Sequence, residues 1–210
     1  MSETRIFRHA APSLTEPPRQ DGTPMLIPAP ATEDGLPLSF PAGTRLRTPD
    51  GPRLVESLVE GDRLVTPEGP KVLRRTELKV VPREDLTFAR ALWPVRVPVG
   101  SLGNPRPLRL AATQRIALAG DILEAHLGQR EAEVELGELI GLGGILHERP
   151  IAALRLHGIA LGVPARIEAE GVTCLIDMPS RGAAPEREAL RAAVQAMHAA
   201  GQPPLAGGWD

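Results

Sequence analysis

Two side chains of this 210-residue chain are considered as possible nucleophiles: the thiol of Cys174 and the hydroxyl of Ser39, which precedes Phe40 at the start of a patterned stretch. Cys174 is the only cysteine and sits in the apolar run VTCLIDM, where a free cysteine usually packs as a small buried hydrophobe rather than a reactive thiol. A single cysteine also excludes an intramolecular disulfide and a zinc site built from cysteines. Ser39 is a weak nucleophile unless an adjacent base or a strained amide activates it, and its alternative role is a strand-end serine with a satisfied hydroxyl.

Histidine is the side chain best suited to proton transfer near neutral pH. Among the histidines, His157 in the segment LRLHGIAL is the best candidate to lie near Ser39, although a weak one, because it belongs to a late β segment. The alternative is a strand histidine without a chemical role. No histidine has the spacing of a metal-binding motif, and no phosphate-binding or dinucleotide-binding loop is present. We therefore expect no metal site and no cofactor. The five histidines are His9, His126, His147, His157 and His198.

The most patterned stretch, residues 39–73, reads SFPAGTRLRTPDGPRLVESLVEGDRLVTPEGPKVL. A possible nucleophile and Phe are followed by a Gly-Thr turn, a strand, a Pro-Asp-Gly turn, the segment VESL, a Gly-Asp reversal and a second strand. We expect Asp62 to be structural, with its carboxylate accepting hydrogen bonds from backbone amides of the reversal. This order resembles the opening of the Hint domain, which inteins, Hedgehog autoprocessing domains and bacterial Hint proteins share. The resemblance covers about residues 37–178.

The resemblance implies a self-processing reaction and identifies the positions at which this sequence lacks the family's usual residues. Ser39 stands where the family usually has the cysteine that attacks the preceding carbonyl, here that of Leu38, to form a thioester or, with serine, an ester. Gln114, in LAATQRIAL, stands where the similar bacterial segment Ser-Pro-Gln-His-Arg-Val has its proton-donating histidine. A glutamine amide forms hydrogen bonds but cannot deliver a proton near neutral pH. Splicing also needs a terminal asparagine, and the only asparagine is Asn104 in a loop, so we expect no protein splicing.

Three hypotheses follow. The first is a degenerate Hint module without efficient autoprocessing, which acts as a folded interaction or structural domain rather than an enzyme. The second is a slow self-cleaving domain that uses Ser39 for an N-to-O acyl shift at the Leu38–Ser39 bond. The third is an ordinary small β-domain unrelated to the Hint family.

Residues 35–178 are predicted to form an all-β domain, because short alternating stretches recur between turns rich in Gly and Pro. The resemblance implies that these strands form a Hint-like β-horseshoe. The segment ELGELIGL (135–142) is predicted to be a single helical turn. The predicted strands lie at 44–48, 62–66, 71–81 (one long strand or a bent hairpin arm), 95–99, 107–113, 115–120, 152–159, 165–171 and 172–178.

The ends of the chain differ from this domain. Residues 1–34 are rich in Pro and charge and are predicted to be a flexible leader, with one apolar piece, MLIPAP, that could pack as a strand. Residues 179–210 are predicted to hold an α-helix at about 184–200 and a loose tail. Apolar side chains at helical spacing favour docking of the helix on the domain, and self-association or partner binding through it is the alternative.

Composition narrows the function classes further. The net charge is −2 and only 2% of residues are aromatic, so we expect no nucleic acid and no membrane surface as a partner, and a core of aliphatic side chains. The N-terminus lacks the apolar region of a secretory signal, and no run is long enough to span a membrane, so the simplest expected localisation is the cytoplasm, with unconventional export as the alternative. A protein is therefore the remaining class of macromolecular partner.

Overall fold

The computed structural model describes residues 38–178 and 185–204. The predicted leader with its MLIPAP piece and the end of the predicted tail lie outside the described residues. The described part is built mostly from short strands, as the alternating sequence pattern predicts. It contains strands β1 (Leu38–Pro41), β2 (Arg45–Thr48), β3 (Gly51–Leu54), β4 (Arg63–Leu64), β5 (Lys71–Val72), β6 (Arg75–Val81), β7 (Val95–Val97), β8 (Leu108–Leu110), β9 (Arg115–Ala119), β10 (Glu131–Glu135), β11 (Leu146–His147), β12 (Leu154–Ala160), β13 (Ala165–Ala169) and β14 (Val172–Ile176).

The strands form four small antiparallel sheets. The largest has the order β10-β9-β14-β13-β2-β3, and a three-stranded sheet has the order β1-β12-β6. A second three-stranded sheet is β11-β7-β8, and β4 pairs with β5. In the largest sheet the side chains of β14 are buried along the whole strand, because this central strand is covered on both faces.

The predicted long strand at 71–81 is bent instead, and the residues in its middle explain why. The Leu73 N–H donates to the Asp62 carbonyl, and the Leu73 carbonyl accepts from the Gly61 N–H, so Leu73 belongs to the β4–β5 hairpin. The next N–H, that of Arg74, donates to the Ala160 carbonyl at the end of β12. The chain therefore leaves one sheet and enters another within two residues, which matches the bent hairpin arm rather than the single strand.

Helices occupy a smaller part of the described chain. The predicted C-terminal helix is α3 (Arg187–Ala199), and the predicted helical turn is a 3-10 turn at Leu136–Leu139. The sequence analysis missed two short helices, α1 (Arg83–Phe88) and α2 (Asp121–Leu127). Helix α3 packs on α2 and buries one stripe of side chains in the core: Leu190, Ala193, Val194 and Met197. Because the chain itself covers this stripe, α3 has only its polar side left for a partner.

The core is aliphatic, as the composition predicts. Leu, Val, Ile and Ala supply nearly all of its buried side chains, and Phe40 is the one aromatic side chain that is fully buried among the described residues. Phe40 lies in β1, directly after Ser39, so the first strand is anchored in the core at the position next to the candidate nucleophile. None of the described helices is long and apolar enough to cross a membrane.

Candidate functional site

Ser39 lies in β1, whose partner strand is β12. The antiparallel register places Ser39 opposite Gly158 and Phe40 opposite His157. A Cβ atom at Gly158 would lie 3.6 Å from the Ser39 Oγ, so the glycine leaves space beside the hydroxyl. The hydroxyl is half-buried and forms no hydrogen bond with any described residue. No described side chain accepts a hydrogen bond from this hydroxyl.

His157 is close to Ser39 in the sheet but lies on its other face. Side chains alternate between the two faces of a strand, and directly opposed residues share a face. Ser39 and Gly158 therefore share one face, whereas Phe40 and His157 share the opposite face. The sheet backbone separates the imidazole from the Ser39 hydroxyl, so this register gives His157 no direct path to the candidate nucleophile.

His157 instead lines a shallow cleft of about 300 Å³ between β12, β6 and the 3-10 turn Val55–Ser57. Burial lowers the pKa of the imidazole, which the negative charge of Glu56 partly offsets, so the neutral form is favoured near pH 7. The Nε2 atom is buried without a hydrogen-bond partner in the described part of the chain.

Glu56, which the sequence analysis did not single out, ties the cleft to the Gly-Thr turn. Both carboxylate oxygens accept hydrogen bonds from the Gly43 N–H, at 2.9 and 3.2 Å. Burial raises the pKa of Glu56, but the hydrogen bonds from Gly43 and from its own backbone amide outweigh it. His157, when its imidazole is protonated, and the positive charge of Arg155 lower this pKa further. The ionised carboxylate therefore holds the turn that follows β1.

The remaining part of the patterned stretch has structural roles. One oxygen of Asp62 accepts from the Val59 N–H at 2.9 Å and the other from Arg53 at 3.0 Å, as expected for a side chain that closes the Gly-Asp reversal. The Val59 hydrogen bond is the main cause that lowers the pKa of Asp62; burial opposes it and Arg53 adds to it. The Thr44 hydroxyl donates to the Pro41 carbonyl at 2.7 Å. These contacts fix the turns that position β1.

Gln114 is buried in the tight turn between β8 and β9. Its own N–H donates to the Ala111 carbonyl at 3.0 Å. Its side-chain Nε2 donates to the backbone carbonyls of Arg115 at 2.8 Å and Leu175 at 3.3 Å. Both amide hydrogens are therefore committed to backbone oxygens, and the side chain joins the start of β9 to β14. The turn follows β8, which lies beside β1, but no hydrogen bond joins Gln114 to Ser39 among the described residues.

The Leu38–Ser39 bond lies inside a regular strand pair. The Ala42 N–H donates to the Arg155 carbonyl, which fixes the alternation of hydrogen bonds between β1 and β12. By that alternation the Leu38 carbonyl faces the Ile159 N–H in the ladder. The amide that an acyl shift would break is thus held in ordinary extended backbone.

Cys174, the other candidate nucleophile, lies in β14 and has no exposed surface. Burial raises the pKa of its thiol well above the ordinary range, so it stays protonated and unreactive in the folded state. No group of three or more His, Cys, Asp or Glu side chains that could hold a metal ion occurs in residues 38–178 or 185–204.

Strand β1 carries Ser39, and the turns that follow it are closed through Thr44, Glu56 and Asp62. The sequence model of the Hint domain family matches residues 38–175. The chain belongs to the Hint domain family.

Solved structures of similar proteins include intein-like domains. The solution structure of a bacterial intein-like domain from Clostridium thermocellum is 14% identical, with a TM-score of 0.44, and the match covers 67% of this chain and 99% of that chain. The crystal structure of the gp41-1 intein is 10% identical, with a TM-score of 0.40, and the match covers 65% of this chain and 96% of that chain. No curated protein matches the chain.

Proposed function

We propose that this Hint domain does not process itself efficiently and acts as a folded interaction or structural module. The observation that carries the proposal is the side chain of Gln114. Its amide hydrogens are occupied by the carbonyls of Arg115 and Leu175, and an amide has no proton to release near neutral pH. The departing nitrogen of an acyl shift would therefore lack a general acid at this position.

The environment of Ser39 supports the same proposal. A serine hydroxyl needs a base or a distorted amide to attack a carbonyl. No described side chain accepts a hydrogen bond from the Ser39 hydroxyl, and His157 lies on the other face of the sheet. The Leu38 carbonyl faces Ile159 in an antiparallel ladder, which supports an ordinary extended peptide rather than a strained one.

A slow self-cleaving domain is the second candidate, and one observation favours it. The Ser39 hydroxyl has no competing partner among the described residues and lies in the open space beside Gly158. In this reaction the Ser39 Oγ would attack the Leu38 carbonyl carbon, the C–N bond would break, and the Ser39 nitrogen would gain the proton that the hydroxyl loses and leave as an amine. An ester between the two residues would result.

Intact mass spectrometry separates the two candidates. We expect the purified full chain to keep its mass during long incubation at neutral pH, with or without hydroxylamine, which cleaves esters. The matched control is Ser39→Ala, which cannot form the ester and should behave identically. Hydroxylamine-dependent release of residues 1–38 from the wild type, absent in Ser39→Ala, would replace the first proposal with the second.

A partner for the module is expected to be a protein. The net charge of −2 gives no electrostatic attraction to nucleic acid or to anionic membranes. The docked face of α3 is buried, so a partner that uses this helix would contact its polar side.

A further inference from the structure

One long side of strand β6 has no backbone partner among the residues that the structure describes. It lies at the edge of the three-stranded sheet, next to β12, and is seven residues long. Within residues 38–178 and 185–204, no backbone hydrogen bond reaches its outer side. An edge of this kind is a template for pairing with another strand.

The alternation of hydrogen bonds identifies the free groups. The backbone N–H and C=O groups of Arg155 point toward β1. By the alternation of an antiparallel ladder, those of His157 and Ile159 also point toward β1, whereas the residues between them point theirs toward β6. The hydrogen bond from the Arg74 N–H to the Ala160 carbonyl agrees with this assignment. The register then leaves the N–H and C=O groups of three residues of β6 pointing outward: Thr76, Leu78 and Val80.

The side chains along this edge are suited to pairing. Leu78 and Val80 are 46% and 51% exposed and share one face of the strand. Glu77 and Lys79 are exposed on the other face, where they form no ion pair with a described residue. An exposed apolar pair beside unpaired groups of a strand edge marks an interaction surface.

We propose that β6 pairs with β6 of a second copy of this chain, antiparallel, about a two-fold axis at Leu78. The two three-stranded sheets then become one six-stranded sheet. Leu78 faces Leu78 of the partner subunit, and Thr76 faces Val80 of the partner subunit. Each of these outward residues exchanges both of its backbone hydrogen bonds with its opposite residue.

Charge complementarity selects this register. Centred on Leu78, the pairing places Glu77 directly opposite Lys79 of the partner subunit, twice over by symmetry. A shift of the axis by one residue would place Glu77 opposite Glu77, or Lys79 opposite Lys79, of the partner subunit. A shift by two residues toward the C-terminus would bring in Pro82, which lacks an N–H. The same shift toward the N-terminus would bring in Arg74, whose N–H already donates to the Ala160 carbonyl.

A single strand pair buries less surface than a standard protein interface, so the dimer is expected to be weak and to depend on concentration. It does not depend on whether Ser39 is active, because β6 and Ser39 lie on opposite sides of β12. The proposed partner of this domain is thus a second copy of the same chain.

Sedimentation equilibrium of the full chain over the micromolar range tests the proposal. The wild-type molar mass is expected to rise from that of one chain toward that of two. Glu77→Lys and Lys79→Glu each turn both cross-strand pairs repulsive, so each variant alone should dimerise about 30-fold more weakly. Glu60→Lys is the matched control, since it makes the same charge change at an exposed position away from the edge.

Two further samples separate pairing at this register from other association. The double variant Glu77→Lys/Lys79→Glu restores opposite charges and should dimerise like the wild type. A one-to-one mixture of the two single variants should form a heterodimer. A wild type that stays monomeric, single variants that dimerise normally, or a double variant that stays monomeric would each overturn the proposal. Specific pairing with an unrelated extended peptide at the same edge, without the dimer, would also overturn it.

Discussion

Replacing Gln114 by alanine should destabilise the fold rather than merely alter a surface. The side chain is almost fully buried, and its Nε2 donates to the carbonyls of Arg115 and Leu175. These bonds join β9 to β14 across the centre of the largest sheet. If Gln114 is a structural amide and not a residual catalytic group, its loss must appear in the free energy of unfolding.

The magnitude follows from the two hydrogen bonds and the buried side-chain atoms. Each hydrogen bond contributes a net of about 0.5–1.5 kcal/mol, and a carbonyl left buried without a donor costs about 1–3 kcal/mol. Alanine also leaves a small cavity, so Gln114→Ala is expected to lose about 2–4 kcal/mol. Gln114→Met keeps most of the volume and removes only the polar contacts, so it is expected to lose about 1–3 kcal/mol.

Urea denaturation at neutral pH measures both losses. Gln195→Ala is the matched control, because Gln195 is exposed on α3 and surface substitutions usually change stability by less than about 0.5 kcal/mol. If Gln114→Ala and Gln114→Met both unfold like this control, the structural role of the amide is refuted.

Three other predictions concern the frame around the site. Leu190→Ala should lose about 2–5 kcal/mol of unfolding free energy in urea, because Leu190 is buried where α3 docks; a loss no larger than that of Gln195→Ala would argue against docking in solution. Glu56→Gln should be less stable than the wild type at pH 7, and the difference should shrink as the pH falls below about 4.5. The reason is that a carboxylate with a lowered folded-state pKa stabilises only while it is ionised; an equal difference at pH 7 and about pH 3.5 would contradict this role. Cys174 should react with a thiol reagent only after denaturation in guanidinium, and rapid stoichiometric labelling of the native protein would contradict its burial.

The sequence predicted the features that local chemistry determines. Alternating side chains and turn glycines were sufficient to find β2, β9, β13 and β14, and helical spacing was sufficient for α3. Helix α1 was missed although it follows Pro82 and carries acidic residues in its first turn, because a six-residue helix shows no repeating apolar stripe. Strand β3 was missed because Gly51 and Pro52 were assigned to a turn, whereas the turn covers Pro49 and Asp50 and the strand begins at Gly51.

The sequence predicted which residues belong to the candidate site but not how they are arranged in space. The position of Ser39 before Phe40 and of Gln114 before Arg115 is set by local motifs. The face on which His157 lies depends on the register between β1 and β12, which are more than 100 residues apart in the chain. A shift of one residue would reverse that face, and no local pattern specifies it. The Glu56–Gly43 contact is likewise made across the β2–β3 hairpin.

We propose that the Hint scaffold is intact and that its chemistry is lost at positions 39 and 114, and intact mass spectrometry of the variant Ser39→Cys/Gln114→His tests this proposal most directly. Because the double variant regains the thiol nucleophile and the proton donor, excess dithiothreitol should release residues 1–38, while each single variant is much slower and the wild type keeps its full mass. Release from the wild type at the rate of the double variant would contradict the claim that the chemistry is lost. A double variant that keeps its full mass would contradict the claim that the scaffold is intact.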